Sequence, residues 1–174
     1  ENAGGEEATT TTSSVIVGAS AGSEATGDNI ILLGSGADPS VDAATNEITL
    51  GNNFITTLRC NVTTITSLSD ARDKVDIKPI LAGLDFVNEL NPISFVWNSR
   101  DGSKVGQPDT GFVAQELKFA QEKLGIEIPH LVLESNPDRL EAGYSKLLPV
   151  MVQAIKELSG KIKELEKALE NRND

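Results

Sequence analysis

A serine hydroxyl and a lysine amine stand five residues apart in Ser69-Asp70-Ala71-Arg72-Asp73-Lys74. A serine alone is a poor nucleophile and needs a base to take its proton. The usual base, histidine, occurs once, as His130, and nothing in the sequence ties it to this stretch. A lysine can serve instead when burial or a neighbouring charge favours its neutral form. A strand-to-turn geometry would let Lys74 reach Ser69 within one loop. The chemistry open to such a pair is self-cleavage. Ser69 Oγ attacks the carbonyl of the Leu68–Ser69 bond and Lys74 takes the hydroxyl proton. The amide shifts to an ester on Ser69, and water then releases the upstream chain. Asp70, Arg72 and Asp73 would orient the loop or compensate charge. Spacing alone favours a plainer reading, a solvated charged turn.

The same stretch is a seam in composition. Twelve of the thirteen Thr precede Ser69, no Lys precedes Lys74, and the only Trp and Tyr follow it, so the two sides read as different units. Residues 1–68 carry eight acids and one base, whereas residues 69–174 carry eighteen acids and fourteen bases. The formal net charge of -11 argues against nucleic acid or an anionic membrane as a partner, since both need a basic surface. Cys60 is alone, which excludes an internal disulfide and a thiolate metal cluster. The single His130 excludes a Ser-His-Asp or two-His metal arrangement within one chain. Glu116, Glu122 and Glu127 lack metal-ligand spacing, and no phosphate-binding Gly-Lys-Thr/Ser loop occurs, so no cofactor or metal is expected. No apolar run approaches the roughly 18–20 residues that cross a bilayer. The chain opens on Glu1 without a signal-peptide pattern and reads as a fragment of something longer.

Upstream of the seam, residues 1–14 are small, polar and acidic, and are expected to form a disordered linker or fragment end. Val15-Ile16-Val17-Gly18, Ile30-Ile31-Leu32-Leu33-Gly34 and Ile48-Thr49-Leu50-Gly51 form a weak repeat. Their glycines are 16 and 17 residues apart, and Asn29 and Asn46 each stand five residues before their Gly. Short strands at even spacing predict a stacked β-repeat whose coils lean on each other or on other copies of the chain. Residues 54–68, rich in Thr, Ile and Val, predict a further strand that needs partner chains. Residues 15–68 together predict an intertwined β-stem.

Downstream, the pattern is that of a small α+β domain, residues 69–174. A helix is expected from Pro79 through Leu90, with Ile80, Leu81, Leu84, Val87 and Leu90 apolar, stopped by Asn91-Pro92. Ile93–Trp97 and Thr110–Ala114 read as strands about the turn Asp101-Gly102-Ser103. Gln115–Leu124 reads as a helix. Leu131–Leu133 and Arg139–Ala142 read as a hairpin about Ser135–Asp138. Trp97 is expected as a core or interface anchor. From Ser145 to about residue 170, Leu148, Met151, Ile155, Leu158, Ile162, Leu165 and Leu169 are spaced 3, 4, 3, 4, 3, 4. That is a heptad seam among Lys and Glu, which predicts a long helix that self-associates as a coiled coil. Ile at a with Leu at d leans towards two strands, so the seam does not itself specify a trimer.

The ordered motifs after the seam carry a resemblance. Ser69–Lys74 with Asp76-Ile77 and Leu84 is similar to the start of the C-terminal intramolecular chaperone domain of phage endosialidase tailspikes. Similar domains end phage tail fibres and neck appendages, and one occurs in the myelin regulatory factor family. The similarity continues through Leu90–Trp97, Gly111–Glu116, Tyr144–Pro149 and Ala154–Leu158. It implies a homotrimeric chaperone that helps the upstream fibre segment of the same polypeptide to assemble. It then implies autocleavage by a Ser-Lys dyad, with Ser69 as nucleophile, Lys74 as base and Leu68–Ser69 as the scissile bond. It further implies synthesis in a host cytoplasm and a mature part in the virion tail, with room for a host surface receptor. The Gly-terminated repeats also look like those of trimeric adhesin heads, a weaker match. The alternative function is a non-cleaving trimerisation clamp or receptor-binding fibre tip. A released transcription-factor precursor is disfavoured, because residues 1–68 lack a basic face.

Overall fold

The computed structural model describes residues 11–62 and 64–173. Most of the expected linker, residues 1–10, therefore lies outside the described residues, as does Thr63 of the expected strand. The described chain falls into two compact units, Glu1–Thr64 with Val96–Asp109, and Ile65–Phe95 with Thr110–Asp174.

The first unit is built on three short parallel strands, β1 (Val15–Val17), β2 (Ile31–Leu33) and β3 (Ile48–Leu50). Val15 pairs with Ile31 and Ile31 with Ile48, so the register follows the 16- and 17-residue spacing of the glycines. The chain must turn sharply to return each strand beside the last, and the residues that do so recur. Asn29 and Asn46 both take left-handed backbone, φ 54° and 58°, where a short polar side chain is tolerated. Asn29 Nδ2 donates to Asn46 Oδ1 at 2.7 Å, tying one coil to the next. At the other end of the strands, Gly18 has φ 135°, and a Cβ there would lie 2.3 Å from the Gly34 carbonyl oxygen. Only glycine permits that conformation and that approach together. Thr12 N and Oγ1 both donate to Asp28 Oδ1 at 2.8 Å, which extends the stacking to the residues before β1. The core between the coils is thin: Ala21, Ala25, Ile30, Leu32 and Ala37, with Ile16 packed against them.

The strand expected over residues 54–68 is not present among the described residues of that stretch. Every described residue from Asn53 to Pro79 is exposed. The Thr, Ile and Val content expresses a preference for a pleated, half-buried surface. Without a neighbouring strand to complete a ladder, that preference forms nothing.

The second unit is a small mixed α+β domain with short helices, hairpins and a long C-terminal helix. Its elements are α1 (Leu84–Glu89), β4 (Ile93–Val96), β5 (Pro108–Gly111), α2 (Ala114–Leu124), β6 (Val132–Leu133), β7 (Glu141–Ala142) and α3 (Leu147–Asn173). β4 pairs with β5, and β6 pairs antiparallel with β7. The core gathers Ala82, Phe86, Leu117, Ala120, Ile128, Leu131, Leu147 and Val150 from helices α1, α2 and α3 and the loops beside them. Trp97 is half-buried on the β4–β5 hairpin, where Nε1 donates to Asp109 Oδ2 at 3.1 Å and Lys104 Nζ lies 5.1 Å from the ring centroid.

Helix α1 begins later than Pro79. Its N-cap is Gly83, which offers no side-chain hydrogen bond of its own. The cap comes instead from α3: Glu157 Oε2 accepts from the Leu84 N–H at 2.7 Å. A Cβ on Gly83 would sit 2.1 Å from Glu157 Oε1, so the bare glycine makes room for the carboxylate. A carboxylate at a helix N-terminus meets both the unpaired N–H groups and the positive end of the dipole. The Leu84 N–H, and secondly the Gln153 side chain, hold the Glu157 carboxyl below its ordinary value of 4.5. A lowered carboxyl stabilises the fold where the unfolded chain is already ionised, and that contribution fades as pH falls through the folded value. The stability gap between the parent and Glu157→Gln should therefore be complete above pH 4.5 and close on acidification. Urea unfolding at a series of pH values measures it; a gap constant with pH would remove the cap assignment.

Helix α3 uses two faces. Leu147, Val150 and Ala154 are buried in the domain. Leu148, Met151, Ile155, Leu158, Ile162, Leu165 and Leu169 are exposed, each by 44% or more, and form a continuous apolar stripe with no partner in this chain. From Leu158 to Arg172 every residue is exposed. Gly160 lies off the stripe, and nothing stands within 4 Å of where its Cβ would be.

Candidate functional site

The hexapeptide Ser69–Lys74 folds as one tight turn. Asp70 is the N-cap of a 3₁₀ turn over Ala71–Asp73, with Asp70 Oδ1 accepting from the Arg72 N–H at 2.9 Å. Asp and Asn favour such positions because the short side chain can satisfy a backbone N–H two residues on. The Arg72 guanidinium then returns to the same carboxylate, Nε to Oδ1 at 3.0 Å and a terminal nitrogen to Oδ2 at 2.6 Å. This planar fork holds the Asp70 carboxyl below its ordinary range, through the side chain of Arg72 first and its backbone N–H second. The turn closes with the Asp73 N–H donating to the Asp70 carbonyl and the Lys74 N–H to the Ala71 carbonyl, both at 3.2 Å.

One turn of 3₁₀ helix carries Lys74 back over the start of the stretch. Its Nζ lies 2.6 Å from Ser69 Oγ and 3.1 Å from the Ser69 carbonyl oxygen. The structure thus brings together the hydroxyl and the amine, with Asp70 and Arg72 bracing the turn between them. Leu68, on the upstream side of the bond in question, is 96% exposed. Its carbonyl oxygen receives only a long contact from Ser67 Oγ, at 3.4 Å.

What the arrangement can do chemically is bounded by that exposure. The contact gives Ser69 a nearby proton acceptor. It does not exclude water, and a lysine acts as a base only in its neutral form, which burial or a second cation favours. In the single chain it is a hydrogen-bonded pair on an open turn, not a formed catalytic centre. His130 lies in the loop before β6 with φ 63°. No group of three or more potential ligands that could hold a metal occurs among the described residues. No described helix is long and apolar enough to cross a membrane.

A family model described as the chaperone of endosialidase matches residues 69–126. Part of this chain is a chaperone-of-endosialidase domain. Its first matched residue is Ser69, so the turn described above is the domain's leading edge. The match takes in the turn, α1, the β4–β5 hairpin and α2. The similar motifs at Tyr144–Pro149 and Ala154–Leu158 lie beyond the matched residues. No curated protein and no solved structure matches the chain.

Two contributors to this domain were not singled out from the sequence for the roles they play. Tyr144, just ahead of α3, has its hydroxyl 3.2 Å from both the N–H and the carbonyl oxygen of Phe112 and meets that ring edge-on at 5.6 Å. It ties the exit of β5 to the start of α3. Glu157 caps α1 as described. Both act across long sequence separations, so no local pattern marks them.

Proposed function

We propose that this chain is a self-cleaving intramolecular chaperone of a phage tail fibre or tailspike, joined to the end of the fibre it serves. The upstream segment is the fibre, and residues 69–174 form the chaperone. Homotrimers form through the apolar stripe of α3, holding the upstream segments together while they assemble. Ser69 Oγ then attacks the Leu68 carbonyl carbon while Lys74 accepts the hydroxyl proton. That proton passes to the departing Ser69 nitrogen as the C–N bond breaks. Water hydrolyses the resulting ester, leaving a carboxylate on Leu68 and an amine on Ser69.

The observation that carries this reading is the 2.6 Å contact between Lys74 Nζ and Ser69 Oγ at the first residue of the matched domain. The physical purpose is coherent. Short non-local strands shared between chains form slowly, because ordering entropy is lost before contacts repay it. A coiled coil raises the local concentration of the strands to be paired. Cutting it away afterwards removes the route by which the fibre would come apart, so its persistence becomes kinetic. The solvent exposure of the pair assigns water exclusion to the assembled state. That same exposure favours the second reading, a clamp that trimerises and is never cut, with the tip acting on a host receptor. The reading places the mature part in the virion tail and the released chaperone in the host cytoplasm.

Mass spectrometry of the expressed chain separates the two. A fragment beginning at Ser69 is expected from the parent and none from Ser69→Ala or Lys74→Ala, a loss of at least a hundredfold in rate on the scale by which general bases act (~10²–10⁴). A parent that assembles and stays whole overturns cleavage and leaves the clamp.

A further inference from the structure

The sheet β1–β3 has one side turned to its own core and one turned away. Ile16 and Leu32 face inward onto the alanines. The outward positions are Val15, Val17, Ile31, Leu33, Ile48 and Leu50, all aliphatic. Five of them are exposed by 39–64%, and Ile31 is half-buried. Outward residues on a sheet that faces water normally alternate with the core as polar residues. Here the alternation is apolar on both sides, so the sheet is patterned for burial on both faces.

The rest of the unit is the reverse. Its described acids, Glu24, Asp28, Asp38, Asp42 and Glu47, all lie in the connecting loops, and none lies in a strand. The core they enclose holds only two large fully buried side chains, Ile30 and Leu32, among small alanines. That is too little to order residues 15–51, because small cores need added stabilisation. The uncharged outward face is where it can be gained.

We infer that this face is an interface between copies of the chain: the β1–β3 sheets of assembled protomers pack outward face against outward face. The occupant is a second copy for two reasons. An acidic unit repels its own kind everywhere except across its uncharged face, so charge steers copies to that contact. The stripe of α3 brings copies of the same sheet to each other at high effective concentration before any other partner. The inference rests on the assembly read above and adds to it the surface by which the upstream segments meet.

The test uses the full chain with Ser69→Ala to keep it whole and Cys60→Ser to remove the native thiol. Single cysteines are placed at Leu33 or Leu50 on the face, and at Asp38 in a loop as control. Each variant is treated with a short bis-maleimide, and sedimentation is recorded beside it. Cross-linked product from Leu33→Cys and Leu50→Cys at least tenfold above Asp38→Cys is the expected result. Oligomers that cross-link equally or not at all at the three positions overturn the face while leaving assembly through α3 standing. A chain that sediments as a monomer overturns both.

Discussion

Leu158→Asp or Ile162→Asp is expected to turn the assembled chain into a folded monomer and, with it, to stop cleavage. Both residues lie on the exposed stripe of α3, 44% and 54% accessible, and neither touches the domain core. The fold of the single chain therefore loses little. In the assembly each copy would bring one carboxylate into an apolar seam without a partner. An unpaired buried charge costs several kcal/mol, and each 1.4 kcal/mol is tenfold in association, so the loss is on the order of a hundredfold or more. Lys163→Asp, one position off the stripe, changes charge more and should change assembly little. Sedimentation of the three variants with circular dichroism decides it. Oligomers that survive both stripe substitutions would show that α3 associates by another face or not at all. Cleavage that continues in a monomer would separate the chemistry from assembly.

The elements that depend on local sequence were legible, and those that depend on distant partners were not. The turn at Asp101–Ser103, the hairpin about Ser135–Asp138 and α2 follow from short-range signals such as turn residues and apolar spacing. The three Gly-terminated runs were legible as stacked strands because their spacing is the register itself. Residues 54–68 were misread because Thr, Ile and Val record a preference that needs a ladder partner. The start of α1 was misread because Pro79 offered a local signal, while the true cap is a carboxylate 73 residues from Leu84. Helix α3 shows both cases in one element. Its heptad stripe was plain, but Leu147, Val150 and Ala154 form a second stripe shifted by one residue. That shorter stripe ends at Glu157, where the helix leaves the domain core, and the longer stripe masked it. At the candidate site, the charged hexapeptide announced a turn, and Asp70 announced its cap. The reach of Lys74 to Ser69 follows from that turn. Whatever excludes water from the pair belongs to no single chain and could not be read from one.

The sharpest test of the domain itself compares two phenylalanines. Phe86 of α1 is fully buried, packed in the core with Leu117, Leu131, Leu147 and Val150. Phe119 of α2 is 63% exposed. Composition and helix propensity treat the two alike; only the fold distinguishes them. Truncating a buried Phe removes its transfer free energy and leaves a cavity that the close-packed surroundings fill only in part. Phe86→Ala is therefore expected to cost about 3–5 kcal/mol. For a domain whose total stability is on the order of 5–15 kcal/mol, that brings it near unfolding. Phe119→Ala should fall within about 0.5 kcal/mol of the parent, as exposed substitutions do. Urea unfolding followed by helix circular dichroism is the proper measurement, because Trp97 sits on the hairpin and not in this core. Since α1 and α3 meet through Phe86, its loss also loosens the helix on which the apolar stripe is carried. Assembly should then weaken in Phe86→Ala although no stripe residue has changed. Equal destabilisation by the two substitutions would mean that α1 does not pack here as described.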